Sequence, residues 1–264
     1  IILTGPPRSG TTLACFLLNK VENTIALHEP MNLQMFPDVD AGISNTLHFF
    51  SEMRRSLMEK GEAISRVKEG KIPSNPFDDA SSGVRASVVR KGVVKFEKQL
   101  DEAFKLVIKH NGHFTFLLPK LTEHFPVHVI VRNPVATIAS WNSIEAPVSR
   151  GNLKVLEFLD NDLYLSIERV SELIDRQVML LNAMYDRYLQ ASEVKIIRYE
   201  DLIESKGSIL HSIQAPASEL SVQLESRNRN PSYNNQVIEN IKSALLRSEA
   251  YFSKFYDRSA IEEF

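Results

Sequence analysis

The chain has 264 residues, 43% of them hydrophobic and 24% charged, with a formal net charge of −2. That length supports one large domain with a substantial core, and the near-neutral balance excludes a general nucleic-acid or membrane-surface binder. The single cysteine, Cys15, excludes an internal disulfide, and no apolar run is long enough for a membrane span.

The first predicted element is a short strand, Ile1-Ile2-Leu3-Thr4, which runs into Gly5-Pro6-Pro7-Arg8-Ser9-Gly10-Thr11-Thr12 and then a helical stretch from Leu13 to Lys20. Because the chain starts inside a strand, a segment upstream of Ile1 is expected. With no secretory leader pattern, the expected location is cytoplasmic. Residues 68–83 hold Gly70, Pro73, Pro76 and Gly83 beside Asp78 and Asp79, and read as a long loop, either a surface insertion or a substrate lid. Further strands are predicted at Phe114–Leu118, Val127–Val131 and Val194–Arg198. Helices are predicted around Ile138–Asn142, across 155–190 and from Val237 to Phe255. The alternation implies βαβ units. The expected fold is a single α/β domain over residues 1–264, with a central parallel β-sheet flanked by helices, and its opening strand, Gly5–Thr12 turn and helix resemble the P-loop nucleotide hydrolases.

Two segments carry the chemistry. A glycine-rich turn between a strand and a helix aims backbone N–H groups at one point, which suits a phosphate. Pro7, Arg8, Ser9, Gly10, Thr11 and Thr12 fit the Gly-x4-Gly frame, but Thr11 stands where the usual Lys would be, and the cation has moved to Arg8. The second segment opens with Arg132 at the end of the Val127–Val131 strand, and Ser140 follows eight residues later. Ligands of open α/β sheets bind beyond the carboxyl ends of strands, where an Arg can clamp a phosphate. Taken alone, Arg132 also fits a surface ion pair and Ser140 a helix contact. No Asp follows the strand to hold Mg²⁺, as a nucleotidase would need. Two phosphate pockets with no metal carboxylate suit a nucleotide phosphorylated at both ends. His110-x-x-His113 has no third ligand at metal spacing, so no metal site is expected.

Pro7-Arg8-Ser9-Gly10-Thr11-Thr12 resembles the 5′-phosphosulfate loop of sulfotransferases, and Arg132 to Ser140 resembles their 3′-phosphate motif, with the same interval. Arg198-Tyr199-Glu200-Asp201-Leu202 resembles a third recurrent segment of that family. The resemblance implies 3′-phosphoadenosine-5′-phosphosulfate (PAPS) as co-substrate, without a metal, and a hydroxyl or amine acceptor. It also implies that Tyr199 contacts the nucleotide, and that Arg227 and Arg229 belong to a basic loop over the 3′-phosphate. Arg8 replaces the Lys of the cytosolic enzymes, and Leu13 replaces their adenine-stacking Trp. Phe114–Pro119, expected to match the strand bearing their catalytic His, has no His. The Arg-type loop is instead similar to bacterial, carbohydrate and tyrosylprotein enzymes. In the tyrosylprotein type a Glu twenty-one residues beyond the Arg is the base, and that position here is Glu29. Its neighbour His28 is the rival base. The acceptor is left open as a small molecule, a glycan, a lipid or a carrier-bound group. The alternatives are a kinase or nucleotidase using Mg-ATP and an inactive nucleotide-binding protein.

Overall fold

The computed structural model describes residues 1–78, 84–248 and 251–264. In chain order the elements that build the site are β1 (Ile2–Thr4), α1 (Thr11–Leu18), β2 (Thr24–His28), α2 (Val39–Lys60), β3 (Glu62–Val67), β4 (Arg90–Lys95), β5 (Lys105–Lys109), α3 (Gly112–Leu121), β6 (Val127–Val131) and α4 (Pro134–Trp141). They continue with α5 (Leu156–Leu159), α6 (Asn161–Glu168), α7 (Leu173–Gln190), β7 (Val194–Arg198), α8 (Tyr199–Glu204), α9 (Asn235–Arg247) and α10 (Ser259–Glu262). Five strands form one parallel sheet in the order β2-β5-β1-β6-β7, while β3 and β4 pair as a separate antiparallel hairpin. The α/β domain with a central parallel sheet flanked by helices is therefore the fold of this chain.

Alternation along β1, β2 and β6 builds two core layers. Ile2, Ile25, Leu27, Val129 and Val131 join one cluster, while Leu3, Ala26 and Ile130 join the other, with Ala14, Leu17 and Leu18 of α1. Both faces of the inner strands are thus covered, which is why they read as continuous apolar runs. The strand-to-helix turn after β1 leaves no room for a side chain at Gly5. A Cβ there would stand 2.1 Å from the carbonyl oxygen of Ile130, at a φ of +151°.

The structure corrects several expectations. Phe114–Leu118 lies inside α3, not in a strand; the helix is buried on nearly all sides, so it shows no polar face to betray its period. The strand of that region is β5, an apolar Leu106–Ile108 run bracketed by Lys105 and Lys109. The 155–190 stretch divides into α5, α6 and α7, with the Asp160 carboxylate accepting from the Leu163 N–H at the start of α6. The helix expected over Val237–Phe255 ends as α9 at Arg247.

The loop expected at 68–83 is part of a longer strap joining β3 to β4, and its residues 79–83 lie outside the described residues. The two limbs of the strap meet at a Phe77–Ser87 bridge, with the Val88 N–H donating to the Pro76 carbonyl at 3.0 Å. The returning limb is tied to the end of α4: the Arg85 N–H donates to the Ser143 carbonyl, and the Glu145 N–H donates to the Arg85 carbonyl, both at 3.0 Å. The functional segments all leave the carboxyl ends of the parallel strands, Gly5–Thr12 after β1, Glu29 after β2, His110 after β5 and Arg132 after β6. In register, Lys109 lies beside both Leu3 and His28.

The phosphate loop is anchored from α4. The fully buried indole of Trp141 donates from Nε1 to the Pro7 carbonyl at 2.6 Å. Trp141→Phe should lower stability by about 1–3 kcal/mol, through the lost bond and the void left beside the loop. The check is a urea denaturation midpoint, and an unchanged midpoint would mean that the loop holds its shape without this anchor.

Candidate active site

A cavity of about 840 Å³ opens at this sheet edge, large enough for a nucleotide and a second reactant. Pro7, Arg8, Gly10, Thr11 and Thr12 form one wall. Gly10 takes a left-handed conformation as the N-cap of α1. The first N–H groups of a helix have no partner within it, so the loop and α1 together present an anion site. Tyr199 packs against Gly10, where an added Cβ would come within 2.6 Å of its ring. Ser9 lies beneath the loop, off the cavity wall, and its buried Oγ has no partner. The Thr11 hydroxyl donates to Asn111 Oδ1 at 3.0 Å.

The second motif clamps the first. Arg132 Nη1 donates to the Arg8 carbonyl at 2.9 Å, and Arg8 Nε donates to Ser140 Oγ at 3.2 Å. Ser140 is buried and does not line the cavity; its hydroxyl accepts from Arg8. Arg132 Nε donates to Asn228 Oδ1 at 2.8 Å, and its guanidinium lies 4.7 Å from the Tyr199 ring centroid. Glu200 sits behind this clamp, with Oε1 accepting from Asn228 Nδ2 at 2.8 Å and from the Asn133 N–H at 3.1 Å. Tyr199 Oη accepts from the Arg227 N–H at 2.9 Å, and Arg227 lines the cavity. Arg229 does not: it is exposed and donates to the Glu263 carbonyl at 2.9 Å.

The strap adds a third cation. Arg85 is only 5% exposed, lines the cavity, and donates from Nη2 to Ser143 Oγ at 2.6 Å. Asn75 Oδ1, also on the strap, accepts from Arg8 Nη1 at 3.2 Å, and the Arg8 guanidinium stands 4.7 Å from the Phe77 ring centroid. Among the described residues, none of Arg8, Arg85 and Arg132 pairs with a carboxylate. Withdrawal from water, then repulsion by Arg85 and Arg132, pulls Arg8 down to about 9. Three cations that share a cavity and meet only neutral acceptors make a site for an anion.

The other end of the cavity is organised around a buried pair. Lys109 is 1% exposed and donates from Nζ to Glu29 Oε1 at 2.6 Å, while Arg66 Nε stands 3.8 Å from Glu29 Oε2. The Glu29 side chain keeps 29% of its exposure and lines the cavity. Burial opposes its ionisation, but the Lys109 ammonium outweighs that and holds the carboxyl well below the usual range. Glu29 and Arg8 both have positive φ, 43° and 74°, a conformation that costs a side-chain-bearing residue about 1–2 kcal/mol. His28 is buried with both ring nitrogens unpartnered, and burial pushes it down to about 3. His110 and His113 also line this end, their rings 5.0 Å apart. His110 Nε2 accepts from the Met31 N–H at 3.0 Å, which fixes a neutral tautomer with the proton on Nδ1.

Lys109, Arg66 and Arg85 are the side chains that sequence reasoning missed. Lys109 becomes visible once β5 is recognised, because it ends that strand at the functional edge. Arg85 carries no motif signal. Among the described residues, no group of three His, Cys, Asp or Glu side chains is arranged to hold a metal ion, and no helix is long and apolar enough to cross a membrane.

The histidines set a stability profile. Burial holds His28 at about 3, His113 at about 4 and His110 well below the ordinary 6.5. On acidification the unfolded chain takes up these protons first. Stability is therefore full above pH 6.5 and falls as the pH drops toward about 4. The slope should be about 1.4 kcal/mol per pH unit for each histidine in its window. Urea midpoints at pH 7 and pH 5 measure it, and His113→Phe should flatten the profile by one histidine. A midpoint that does not change over this range would contradict the buried neutral assignment.

A family model described as the sulfotransferase family matches residues 1–217. No curated protein sequence matches the chain significantly. Among solved structures, the crystal structure of a sulfotransferase from Alicyclobacillus acidocaldarius is similar at 14% identity, covering 99% of this chain and 97% of that one, with a TM-score of 0.47. The family match takes in the loop at Arg8, the segment from Arg132 to Ser140 and the segment from Arg198 to Leu202, and with most of the sequence inside it the chain belongs to the sulfotransferase family.

Proposed function

We propose that the protein transfers a sulfuryl group from PAPS to a hydroxyl or amine acceptor. The observation that carries this reading is the set of cavity cations without carboxylate partners, Arg8 on the loop and Arg132 beyond β6, joined through the Arg8 carbonyl. They suit a ligand with an anionic group at each end. The residues present fit it: glycine at positions 5 and 10 lets Ile130 and Tyr199 pack closely against the loop, and among the described residues Arg8, Arg85 and Arg132 pair with no carboxylate. Arg8 and the N–H groups at the start of α1 would receive the 5′ end and stabilise charge as the 5′-phosphate departs. Arg132, with Arg227 beside it, would receive the 3′-phosphate. Tyr199 supports both through its contacts with Gly10, Arg132 and the Arg227 N–H. Ser140, which accepts from Arg8 Nε at 3.2 Å, would serve the 5′ end by orienting that guanidinium.

PAPS supplies an activated sulfuryl group on a good leaving phosphate. The chain's own task is to place the acceptor and remove its proton, and we assign that proton to Glu29. A carboxylate held ionised by Lys109 is a weak base towards a free alcohol. It is an adequate one towards an oxygen already bonding to sulfur, because that oxygen becomes strongly acidic as its electrons are withdrawn. An anion arriving beside Lys109 would also weaken the ion pair and raise the proton affinity of Glu29. His28 is poorly placed to compete, since protonating it would put a charge on a buried ring with no acceptor. The apolar part of the wall, with Met31, Leu33, Phe16 and Leu153, and the cations Arg66 and Lys154, leaves room for a small molecule, a glycan, a lipid or a carrier-bound acceptor.

The test is turnover of labelled PAPS against a panel of hydroxyl and amine acceptors. Glu29→Gln should bind adenosine 3′,5′-bisphosphate normally and lose about 10²–10⁴-fold in transfer rate, whereas His28→Ala should lose less. Full activity in Glu29→Gln with a dead His28→Ala would move the base to His28. No transfer to any acceptor, together with no binding of the bisphosphate, would reject the reading altogether.

A further inference from the structure

We infer that Arg85, delivered by the strap between β3 and β4, is a second cation for the 5′-phosphosulfate end of the nucleotide, acting beside Arg8. The inference rests on the PAPS reading above and adds a ligand from outside the three motifs. Arg85 is 95% withdrawn from solvent, since it is 5% exposed, yet it lines the cavity. Its described partners are uncharged, Ser143 Oγ at 2.6 Å from Nη2 and the Ser143 carbonyl at 3.4 Å from Nε. A buried guanidinium normally faces a carboxylate or a bound anion, and among the described residues Arg85 has no carboxylate partner.

Its neighbourhood decides which end it serves. The strap that carries Arg85 also carries Asn75 and Phe77, and both touch the Arg8 guanidinium. Arg85 is the charged group that most strongly opposes ionisation of Arg8, ahead of Arg132. Two guanidiniums that repel one another across a cavity are both relieved by one anion between them. Arg8 belongs to the phosphate loop, so that anion is the one the loop receives. Backbone bonds at 3.0 Å from Arg85 to Ser143 and from Glu145 to Arg85 fix the Arg85 main chain just beyond α4, the helix that also supplies Ser140 and Trp141 to the loop, and the bond to Ser143 Oγ aims its side chain. The described limbs of the strap are thereby part of the anion site.

The experiment compares calorimetric binding of adenosine 3′,5′-bisphosphate and adenosine 3′-monophosphate, in the wild type and in Arg85→Gln. The ratio of the two dissociation constants is the worth of the 5′-phosphate. It should fall about ten- to a hundredfold in Arg85→Gln, the value of a charged hydrogen bond, while the affinity for the monophosphate stays unchanged. Arg85→Lys should restore part of the ratio. If Arg85→Gln fails to fold, Ser143→Ala, which removes the bond that orients the guanidinium, should lower the ratio in the same direction. An unchanged ratio, an equal loss for both nucleotides, or an effect confined to the KM of the acceptor would overturn the assignment while leaving the PAPS reading standing. Failure of the wild type to bind the bisphosphate would instead reject that reading and this one together.

Discussion

The structure depends on keeping like charges together. Arg8, Arg85 and Arg132 converge on one cavity, and among the described residues no carboxylate neutralises them. Their mutual repulsion would scatter flexible side chains, so each is held by neutral acceptors drawn from a different part of the chain. Arg8 is bound to Ser140 and Asn75, Arg85 to Ser143, and Arg132 to Asn228 and the Arg8 carbonyl. Neutral acceptors fix direction without cancelling charge. The Glu200 carboxylate accepts from Asn228, whose Oδ1 accepts from Arg132, so it orients that guanidinium through a neutral amide.

The opposite end of the cavity follows the opposite rule. There Lys109 and Glu29 are paired directly, and the surrounding histidines are kept neutral by burial. A buried pair of this kind is costly to desolvate and costly to break, which ties β2 and β5 together where their side chains leave the sheet. The result is a polarised cavity, with three guanidiniums held by neutral acceptors at one end and a carboxylate paired with a lysine at the other. Left-handed backbone at Arg8 and Glu29 marks both ends as places where local preference yields to side-chain placement.

Much of this was legible in the sequence, for identifiable reasons. The loop from Gly5 to Thr12 and the segment from Arg132 to Ser140 announce themselves because backbone geometry fixes their glycines and their spacing. The inner strands β1 and β6 are apolar on both faces and stand out as runs. β2 and β5 are as long as β6 but have polar ends, Thr24 and His28 in one and Lys105 and Lys109 in the other, and β5 lies close to α3, whose denser apolar sequence drew the strand assignment to Phe114–Leu118. That one error concealed Lys109 at the end of β5. Ser140 was recognised by its interval, yet an interval cannot say whether a hydroxyl faces a ligand or a neighbouring side chain. Arg85 was beyond reach, because its position depends on a strap whose two limbs and α4 meet only in three dimensions.

The central claim is that the cation cluster is shaped for a nucleotide carrying separate anions at its 3′ and 5′ ends. Isothermal titration of the wild-type protein with adenosine 3′,5′-bisphosphate and, separately, with Mg-ATP tests it most directly. The account predicts that the bisphosphate binds at least about tenfold more tightly, as one additional charged contact requires, and that its affinity is the same with and without EDTA. Tighter binding of Mg-ATP, or an affinity for the bisphosphate that collapses in EDTA, would contradict it.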